Sequence, residues 1–206
     1  QMQVFGRTAG VFIAVALSGA MSYRAGLLML ELTRTRRELA QISQTDQLTG
    51  LLNRRGFDAE AAAALDKAQE DGASAAVLMC DIDHFKRVND AFGHQVGDEI
   101  IKMFSRVIEA NVRDGDTVVR YGGEEFAIIL PTTTQDDART IAERIRRQVE
   151  SKKLTIRETN QEIGRMTASF GVAEHRPGDD IEVLVQRADA KLYDAKSGGR
   201  NRVSTY

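Results

Sequence analysis

The sequence contains only one cysteine, Cys80, and it has no excess of positive charge. A single cysteine excludes an internal disulfide, and a reducing compartment is the simplest explanation. Cys80 ends the apolar run 75–80, so we expect it to fill the core. Residues 43–206 carry 23 basic and 28 acidic side chains, a net charge of −5, within a chain whose total is −2. This balance provides no broad basic surface and argues against a nucleic-acid partner.

The length of 206 residues and the 42% hydrophobic content predict one soluble domain with an appendage. The appendage is the segment 1–42, in which residues 9–32 are mostly apolar and Arg24 is the only basic interruption. An arginine inside a membrane helix costs about 2.5 to 3.5 kcal/mol on insertion scales, which many apolar neighbours can offset. A membrane-spanning helix is therefore expected. The arginines at 34, 36 and 37 would place everything downstream in the cytoplasm, with the full-length protein in the inner membrane.

The same segment also fits a signalling helix. Leu28, Leu32, Leu39 and Ile42 follow the four-three spacing of a short two-stranded coiled coil. A soluble linker helix therefore remains an alternative to a membrane span, and both descriptions can hold together. Because the chain begins with Gln1 rather than Met, we expect a fragment of a longer protein whose upstream part senses a signal.

Residues 43–206 show an α+β pattern. Apolar periodicity predicts helices at 57–69, 135–152 and 181–195 and a further helix with Asp98 as its N-cap. Strands are predicted at 75–80, 117–121, 126–130, 154–156 and 166–173. This order resembles β-α-β-β-α-β with additions, an arrangement that exposes strand ends and a hairpin as a platform for a site.

Residues 120–126 read Arg-Tyr-Gly-Gly-Glu-Glu-Phe. Gly122 and Gly123 between two strands predict a tight hairpin, because glycine takes positive φ freely. Exposed N–H groups in such a turn suit phosphate, and Glu124 and Glu125 suit a hard divalent cation. The alternative is a hairpin with solvated glutamates.

Asp81 follows a strand of the buried type. If the hairpin pairs beside this strand, Asp81 and Glu124 converge, as a divalent ion bound to a triphosphate requires. Lys86 would add positive charge for a transferring phosphoryl group. The alternative for Asp81 is a plain turn-forming residue.

Residues 88–99 combine an amide, a histidine, glycines and a carboxylate before a helix. The Asp98 carboxylate can accept hydrogen bonds from N1 and N2 of guanine, and the Asn89 amide can serve O6 or N3. The alternatives are a helix N-cap for Asp98 and a surface turn for His94.

Five segments resemble the GGDEF family in order and spacing. They are 46–55, the Asp81 segment, 89–99, 122–126 and 193–201. The resemblance covers residues 43–206 and implies a diguanylate cyclase, which condenses two GTP into cyclic di-GMP and two pyrophosphates. It implies a nucleotidyl cyclase-like fold of ferredoxin-like or palm type: an antiparallel-rich central sheet flanked by helices, here preceded by a long N-terminal helix.

The resemblance also implies a role for each matching position. Asp81, the Ile82 carbonyl and Glu124 would hold Mg²⁺ or Mn²⁺, and Glu124 would also act as base toward the ribose 3′-hydroxyl, with support from Glu125. The substrate positions are Asn89, His94, Asp98, Gly122, Gly123, Lys196 and Arg200. Lys86, Lys196 and Arg200 would contact phosphate or stabilise the transition state. The third signature position is Glu rather than Asp, a variant that can still ligate magnesium. The resemblance further implies a homodimer, because each domain supplies one GTP.

Arg113 and Asp116 form an Arg-x-x-Asp motif nine residues before Gly122. In the family this spacing marks an inhibitory site for cyclic di-GMP. Arg144, on the following helix, is a candidate for a second contact. The alternative is an exposed salt bridge, worth about 0 to 1 kcal/mol. Two rival functions stay open: a catalytically silent receptor for cyclic di-GMP, and an enzyme of the same fold with another purine preference.

Overall fold

The computed structural model describes residues 21–30, 44–156 and 161–206, and the chain divides into units 1–43 and 44–206. In the first unit, residues 21–30 form helix α1, whose side chains are exposed. Among the described residues, no helix has both the length and the apolar character needed to cross a membrane. The rest of the predicted span, and the coiled-coil positions Leu32, Leu39 and Ile42, lie outside the described residues.

The second unit is built on a six-stranded sheet, whose strands are β1 (Leu52–Asn53), β2 (Ala75–Ile82), β3 (Thr117–Arg120), β4 (Glu125–Pro131), β7 (Ala168–Glu174) and β8 (Val203–Ser204). Their order across the sheet is β1-β3-β4-β2-β7-β8. β2 pairs antiparallel with β4 and β7, whereas the two short edge strands pair parallel. A separate hairpin joins β5 (Lys153–Ile156) and β6 (Gln161–Arg165).

Five helices cover the two faces of this sheet: α2 (Arg54–Glu70), α3 (Phe85–Phe92), α4 (His94–Glu109), α5 (Gln135–Ser151) and α6 (Ile181–Ser197). The predicted α+β class, with an antiparallel-rich sheet between helices, is confirmed.

Strand β2 explains why the sheet needs helices on both faces. All eight of its residues are buried. Leu78 and Cys80 join the cluster under α3, α4 and α5, while Val77 and Met79 join the cluster under α2 and α6. Successive side chains of a strand point to opposite faces, so one apolar run supplies both cores. Each large side chain buried in this way contributes about 1.5 to 3 kcal/mol.

The local structure departs from the sequence prediction around Asp98. Helix α4 begins at His94, and its N-cap is Gly93, with φ of 83° and no side-chain cap. The N-cap prediction for Asp98 was therefore wrong. Gly93 can adopt the left-handed backbone that separates α3 from α4, so the helix starts five residues earlier than predicted. Asp98 lies on the exposed surface of the first turns.

Several elements begin or end elsewhere than predicted. α2 starts at Arg54, and β2 runs on to Ile82, so Asp81 lies within the strand rather than after it. Helix α3 and strands β1, β6 and β8 were not predicted. The strands are short, and the residues of β6 are mostly exposed, so these strands carry no clear apolar period. Helix α3 does place Phe85, Val88 and Phe92 at helical spacing, but it has only eight residues.

Candidate active site

The hairpin between β3 and β4 forms as predicted, but its glycines act differently. Neither Gly122 nor Gly123 has a positive φ, so the expected left-handed turn was wrong. A Cβ at Gly122 would lie 2.6 Å from the Glu125 carboxylate, whereas a Cβ at Gly123 would meet no atom within 4 Å. Gly122 therefore contacts the end of the Glu125 side chain closely, and a Cβ at this position would displace the Glu125 carboxylate.

The N–H groups of this turn are also less available than expected. The backbone carbonyl of Glu125 accepts from the N–H of Tyr121 at 2.9 Å and from that of Gly122 at 3.1 Å. The prediction that the N–H of Gly122 is free for phosphate is therefore not supported. Gly123 still gives a ligand close access to the backbone, because the space beside it is open.

Arg120 holds the turn in place. Its Nη1 donates to both carboxylate oxygens of Asp46 at 3.0 Å, and its Nε and Nη2 donate to the Gly123 carbonyl at 3.2 and 2.7 Å. Burial pushes the pKa of Asp46 upward, but hydrogen bonds from Thr49 and Arg120 outweigh it and hold that pKa below its usual value. No pairing was expected here, because 74 residues separate the two side chains in the sequence.

The hairpin lies directly beside Asp81. Asp81 is opposite Glu125 in the β2–β4 pair, and the N–H of Ile82 donates to the Glu124 carbonyl at 3.3 Å. The Lys196 ammonium approaches Asp81 at 2.9 Å. The structure thus brings together Asp81, both glutamates and Lys196, from three elements.

Ionisation of the Asp81 carboxyl is energetically unfavourable at this position. Burial raises the pKa of Asp81 to about 6; Lys196 opposes the increase, while Glu124 and Glu125 add to it. A carboxylate that is desolvated beside two others favours any positive charge that reaches it. In the protein alone, that charge is the Lys196 ammonium.

The donor set fits a hard divalent cation. Within the described parts of the chain, no three His, Cys, Asp or Glu side chains come close enough together to hold a metal by themselves. Asp81 and Glu124 provide two carboxylates, and the Ile82 carbonyl can provide a third oxygen. Magnesium uses such a sparse set, because it keeps several waters and takes oxygens from substrate phosphates.

A second group of predicted residues lies where α3 packs on α4. The side-chain oxygen of Asn89 on α3 is buried and has no hydrogen-bond partner among the residues that the structure describes. A Cβ at Gly97 on α4 would collide with this amide, so only glycine leaves room for it. His94 and Asp98 lie on α4 near this contact and are exposed, as is Lys86 in the first turn of α3. The orphaned oxygen is a candidate acceptor for a ligand N–H.

Arg200 lies in the turn after α6, four residues beyond Lys196, and it is exposed. Nearby, the buried Asp83 accepts hydrogen bonds from Thr167, Ser169 and the Asn201 N–H. No role was predicted for Asp83 or Asn201. The only available signal was their position inside matched segments.

The Arg113 motif forms a separate site. Arg113 Nε lies 3.3 Å from Asp116, and its Nη2 donates to the Pro131 carbonyl at 2.6 Å. Arg113 remains 58% exposed, whereas the Asp116 side chain is 1% exposed. Both line a cavity of about 300 Å³ together with Arg144, whose guanidinium is held by Asn111 at 2.8 Å. The exposed salt bridge that was the alternative to a binding site is therefore present, and the cavity beside it is lined by two arginines.

Comparison with known proteins points in one direction. Residues 43–202 match the family described as diguanylate cyclase, GGDEF domain. The chain is 44% identical over 177 residues to diguanylate cyclase VdcA of Vibrio cholerae, covering 84% of this chain and 51% of VdcA. Its fold matches the GGDEF domain of DgcB from Caulobacter crescentus, solved in complex with c-di-GMP, with a TM-score of 0.77 and 44% identity. That match covers 79% of this chain and 92% of the DgcB domain.

A third match concerns the signature itself. The structure of the active GGEEF domain of a diguanylate cyclase from Vibrio cholerae is 34% identical, with a TM-score of 0.70, and covers 76% of this chain and 97% of that one. The chain spans about half the length of VdcA and 36% of another curated relative.

Proposed function

The chain belongs to the GGDEF family of diguanylate cyclases, and on that premise we propose that residues 43–206 condense two GTP into cyclic di-GMP and two pyrophosphates. One observation carries the proposal: Asp81, Glu124 and Lys196 converge beside the hairpin, where a buried carboxylate favours positive charge. In each half-reaction a ribose 3′-oxygen attacks the α-phosphorus of the partner GTP. The bond to pyrophosphate breaks as the new phosphodiester bond forms.

We assign the metal positions to Asp81, the Ile82 carbonyl and Glu124, with Mg²⁺ or Mn²⁺ as the ion. When bound, the ion supplies positive charge that neutralises the triphosphate and the oxygen that attacks. Glu124 takes the proton of the 3′-hydroxyl. Glu125 supports this arrangement, because its carboxylate packs against Gly122 and its carbonyl closes the turn.

Guanine would be bound between α3 and α4. The orphaned Asn89 oxygen can accept an N–H of the base, and Asp98 can accept from N1 and N2. Adenine lacks donors at these positions, so the pair favours guanine. His94, the first residue of α4, lies at the same junction.

The phosphates would lie among the cationic side chains. Lys196 already reaches Asp81, and Lys86 and Arg200 are exposed on neighbouring elements. If Asp81 held the metal ion, the Lys196 ammonium would be free to contact a substrate phosphate instead of this carboxylate. The open space at Gly123 gives the triphosphate access to the turn.

We further propose that the active form is a homodimer in which two domains face each other antiparallel. Each domain holds one GTP, so a single copy has only half of the reacting groups. The segment 1–42 would bring two domains together, as a membrane helix, as a coiled coil or as both. The apolar run 9–32 and the four-three spacing of its leucines support this role.

We propose that cyclic di-GMP inhibits the enzyme by binding at Arg113, Asp116 and Arg144. These residues share one cavity, and Asp116 is held in place by the Arg113 backbone at 3.0 Å. A guanidinium that is 58% exposed can turn toward a phosphate or a guanine edge.

The test is product analysis after incubation with GTP or ATP and Mg²⁺. Cyclic di-GMP should form from GTP alone, and Glu124→Gln should abolish it without changing the circular dichroism spectrum. The exposed Glu60→Gln on α2 is the matched control and should keep full activity. If dimeric protein binds cyclic di-GMP but makes none, the chain is a receptor and the enzyme proposal is wrong.

A further inference from the structure

The turn after α6 has an unusual backbone. Arg200 has φ of 63° and Asn201 has φ of 47°, so two consecutive non-glycine residues are left-handed. This region is disfavoured for residues with a Cβ, and it persists only where surrounding contacts impose it. In this turn the contacts are hydrogen bonds from Asn201 to Asp83 and to two residues of α5.

The Asp83 carboxylate holds the backbone of this turn. This carboxylate is 4% exposed, and it accepts the N–H of Asn201 at 3.0 Å. The hydroxyls of Thr167 and Ser169 also donate to it, each at 2.7 Å. Asp83 lies two residues after Asp81, so the turn is attached to the same strand end as the proposed metal position.

Two residues of α5 hold the side chain of Asn201. Its oxygen accepts from Arg146 Nη1 at 2.8 Å, and its amide donates to Glu150 at 3.1 Å. Arg146 and Glu150 also pair with each other at 3.0 Å, and the Arg146 side chain is 14% exposed. Both hydrogen-bonding atoms of the amide are therefore engaged by one ion pair.

Arg200 itself is tied at both of its peptide groups. Its N–H donates to the Ala195 carbonyl at 3.0 Å, at the end of α6. Its carbonyl accepts from Arg202 Nε at 3.2 Å. None of these bonds uses the Arg200 guanidinium.

We propose that Asn201 is a positioning residue for Arg200. Held by Asp83 and by the Arg146–Glu150 pair, it imposes the left-handed backbone that sets the point from which the Arg200 guanidinium reaches a substrate phosphate. The inference rests on the proposed function, since it takes Arg200 as a phosphate contact. Without the Asn201 amide, the turn relaxes toward an ordinary backbone and the guanidinium loses its fixed starting point.

A double-mutant cycle on the full chain tests this role. The probe is guanosine 5′-α,β-methylenetriphosphate with Mg²⁺, which cannot be cleaved at the reacting bond, and its affinity is measured by calorimetry. Arg200→Ala should weaken binding about tenfold or more, and Asn201→Ala should weaken it about tenfold. The double variant should bind no more weakly than Arg200→Ala, because Asn201 acts only through Arg200.

Two further variants guard the interpretation. Glu150→Ala removes both the acceptor of the Asn201 amide and the carboxylate partner of Arg146, so it should weaken binding about threefold and have no effect in an Arg200→Ala background. Arg165→Gln is the matched control, because Arg165 approaches the same Glu150 at 3.5 Å, whereas the Asn201 side chain bonds to Arg146 and Glu150; its affinity should be unchanged.

Independent losses that multiply in the double variant, or wild-type affinity in Asn201→Ala, would overturn the inference. The result is separable from the enzyme proposal. If the wild-type chain binds the analogue yet makes no cyclic di-GMP from GTP, the proposed function fails and the binding cycle still decides the role of Asn201.

Discussion

Replacing Asp81 with asparagine tests two effects separately. One is the free energy lost by burying the Asp81 charge, and the other is the contribution of that charge to metal binding. The side chain is 7% exposed, and burial raises its pKa from 3.8 to about 6. This shift of roughly two units corresponds to about 3 kcal/mol, at about 1.4 kcal/mol per unit. In the metal-free protein, the ionised carboxylate therefore opposes folding.

The sign of the pH dependence follows from proton linkage. A carboxyl whose pKa is higher in the folded state binds a proton more readily there, so stability falls as pH rises from about 4 to about 6. The cost is about 1 kcal/mol at pH 4.5 and about 3 kcal/mol above pH 7. The asparagine side chain of Asp81→Asn cannot ionise, so the stability of the variant relative to wild type should increase by about 2 kcal/mol over this interval.

The assay is urea denaturation in EDTA at pH 4.5 and pH 8, followed by far-ultraviolet circular dichroism because the chain has no tryptophan. The exposed Asp114→Asn should change the unfolding free energy by less than about 0.5 kcal/mol at either pH. Adding Mg²⁺ at 100 times its Kd should stabilise wild type by about 2.7 kcal/mol and leave Asp81→Asn unchanged. A stability difference that does not vary with pH would refute the argument from burial, and equal Mg²⁺ stabilisation would refute the metal position.

Three other substitutions test separate parts of the structure. Gly97→Ala places a methyl group against the Asn89 amide, so KM for GTP should rise about tenfold with little change in kcat; an unchanged KM would remove Asn89 from the base site. Arg113→Ala should keep turnover and raise the product concentration needed for half inhibition at least about tenfold, whereas undiminished inhibition would contradict the proposed site. Arg120→Lys cannot hold Asp46 and the Gly123 carbonyl together, so kcat should fall about tenfold, with about 1 to 2 kcal/mol lost in urea denaturation; wild-type kcat would show that the turn does not need this clamp.

The predicted helices agree with the structure where the apolar period extends over many residues. Helices α5 and α6 agree with the predicted 135–152 and 181–195 to within two residues at each end. Strand β6 was missed because its few, mostly exposed residues show no clear apolar period. Helix α3 was missed although Phe85, Val88 and Phe92 repeat at helical spacing over its eight residues. The preference of aspartate for the N-cap predicted that a helix begins after Asp98. Instead Gly93, which has a positive φ, ends α3 and is the N-cap of α4.

The hairpin shows how a correct prediction can rest on the wrong cause. Two glycines did mark the turn, yet neither is left-handed. A Cβ at Gly122 would instead displace the Glu125 carboxylate, a contact between residues that are not adjacent in sequence. Local sequence supplies the residue type, but it does not say whether conformation or space requires it.

The sequence by itself determined the chemistry that this protein has available. Its ordered motifs named the carboxylates, the amide and the cations, and its apolar periods set the α+β class, because both depend on residue type and local spacing. Only the tertiary structure decided which groups meet. The register of β2 against β4 puts Asp81 opposite Glu125, and the return of α6 brings Lys196 to the same carboxylate. Register and helix return are set by packing across the whole sheet, so no local segment encodes the pairing of Asp81 with Lys196, the clamp of Arg120 on Asp46 or the attachment of Asn201 to Asp83.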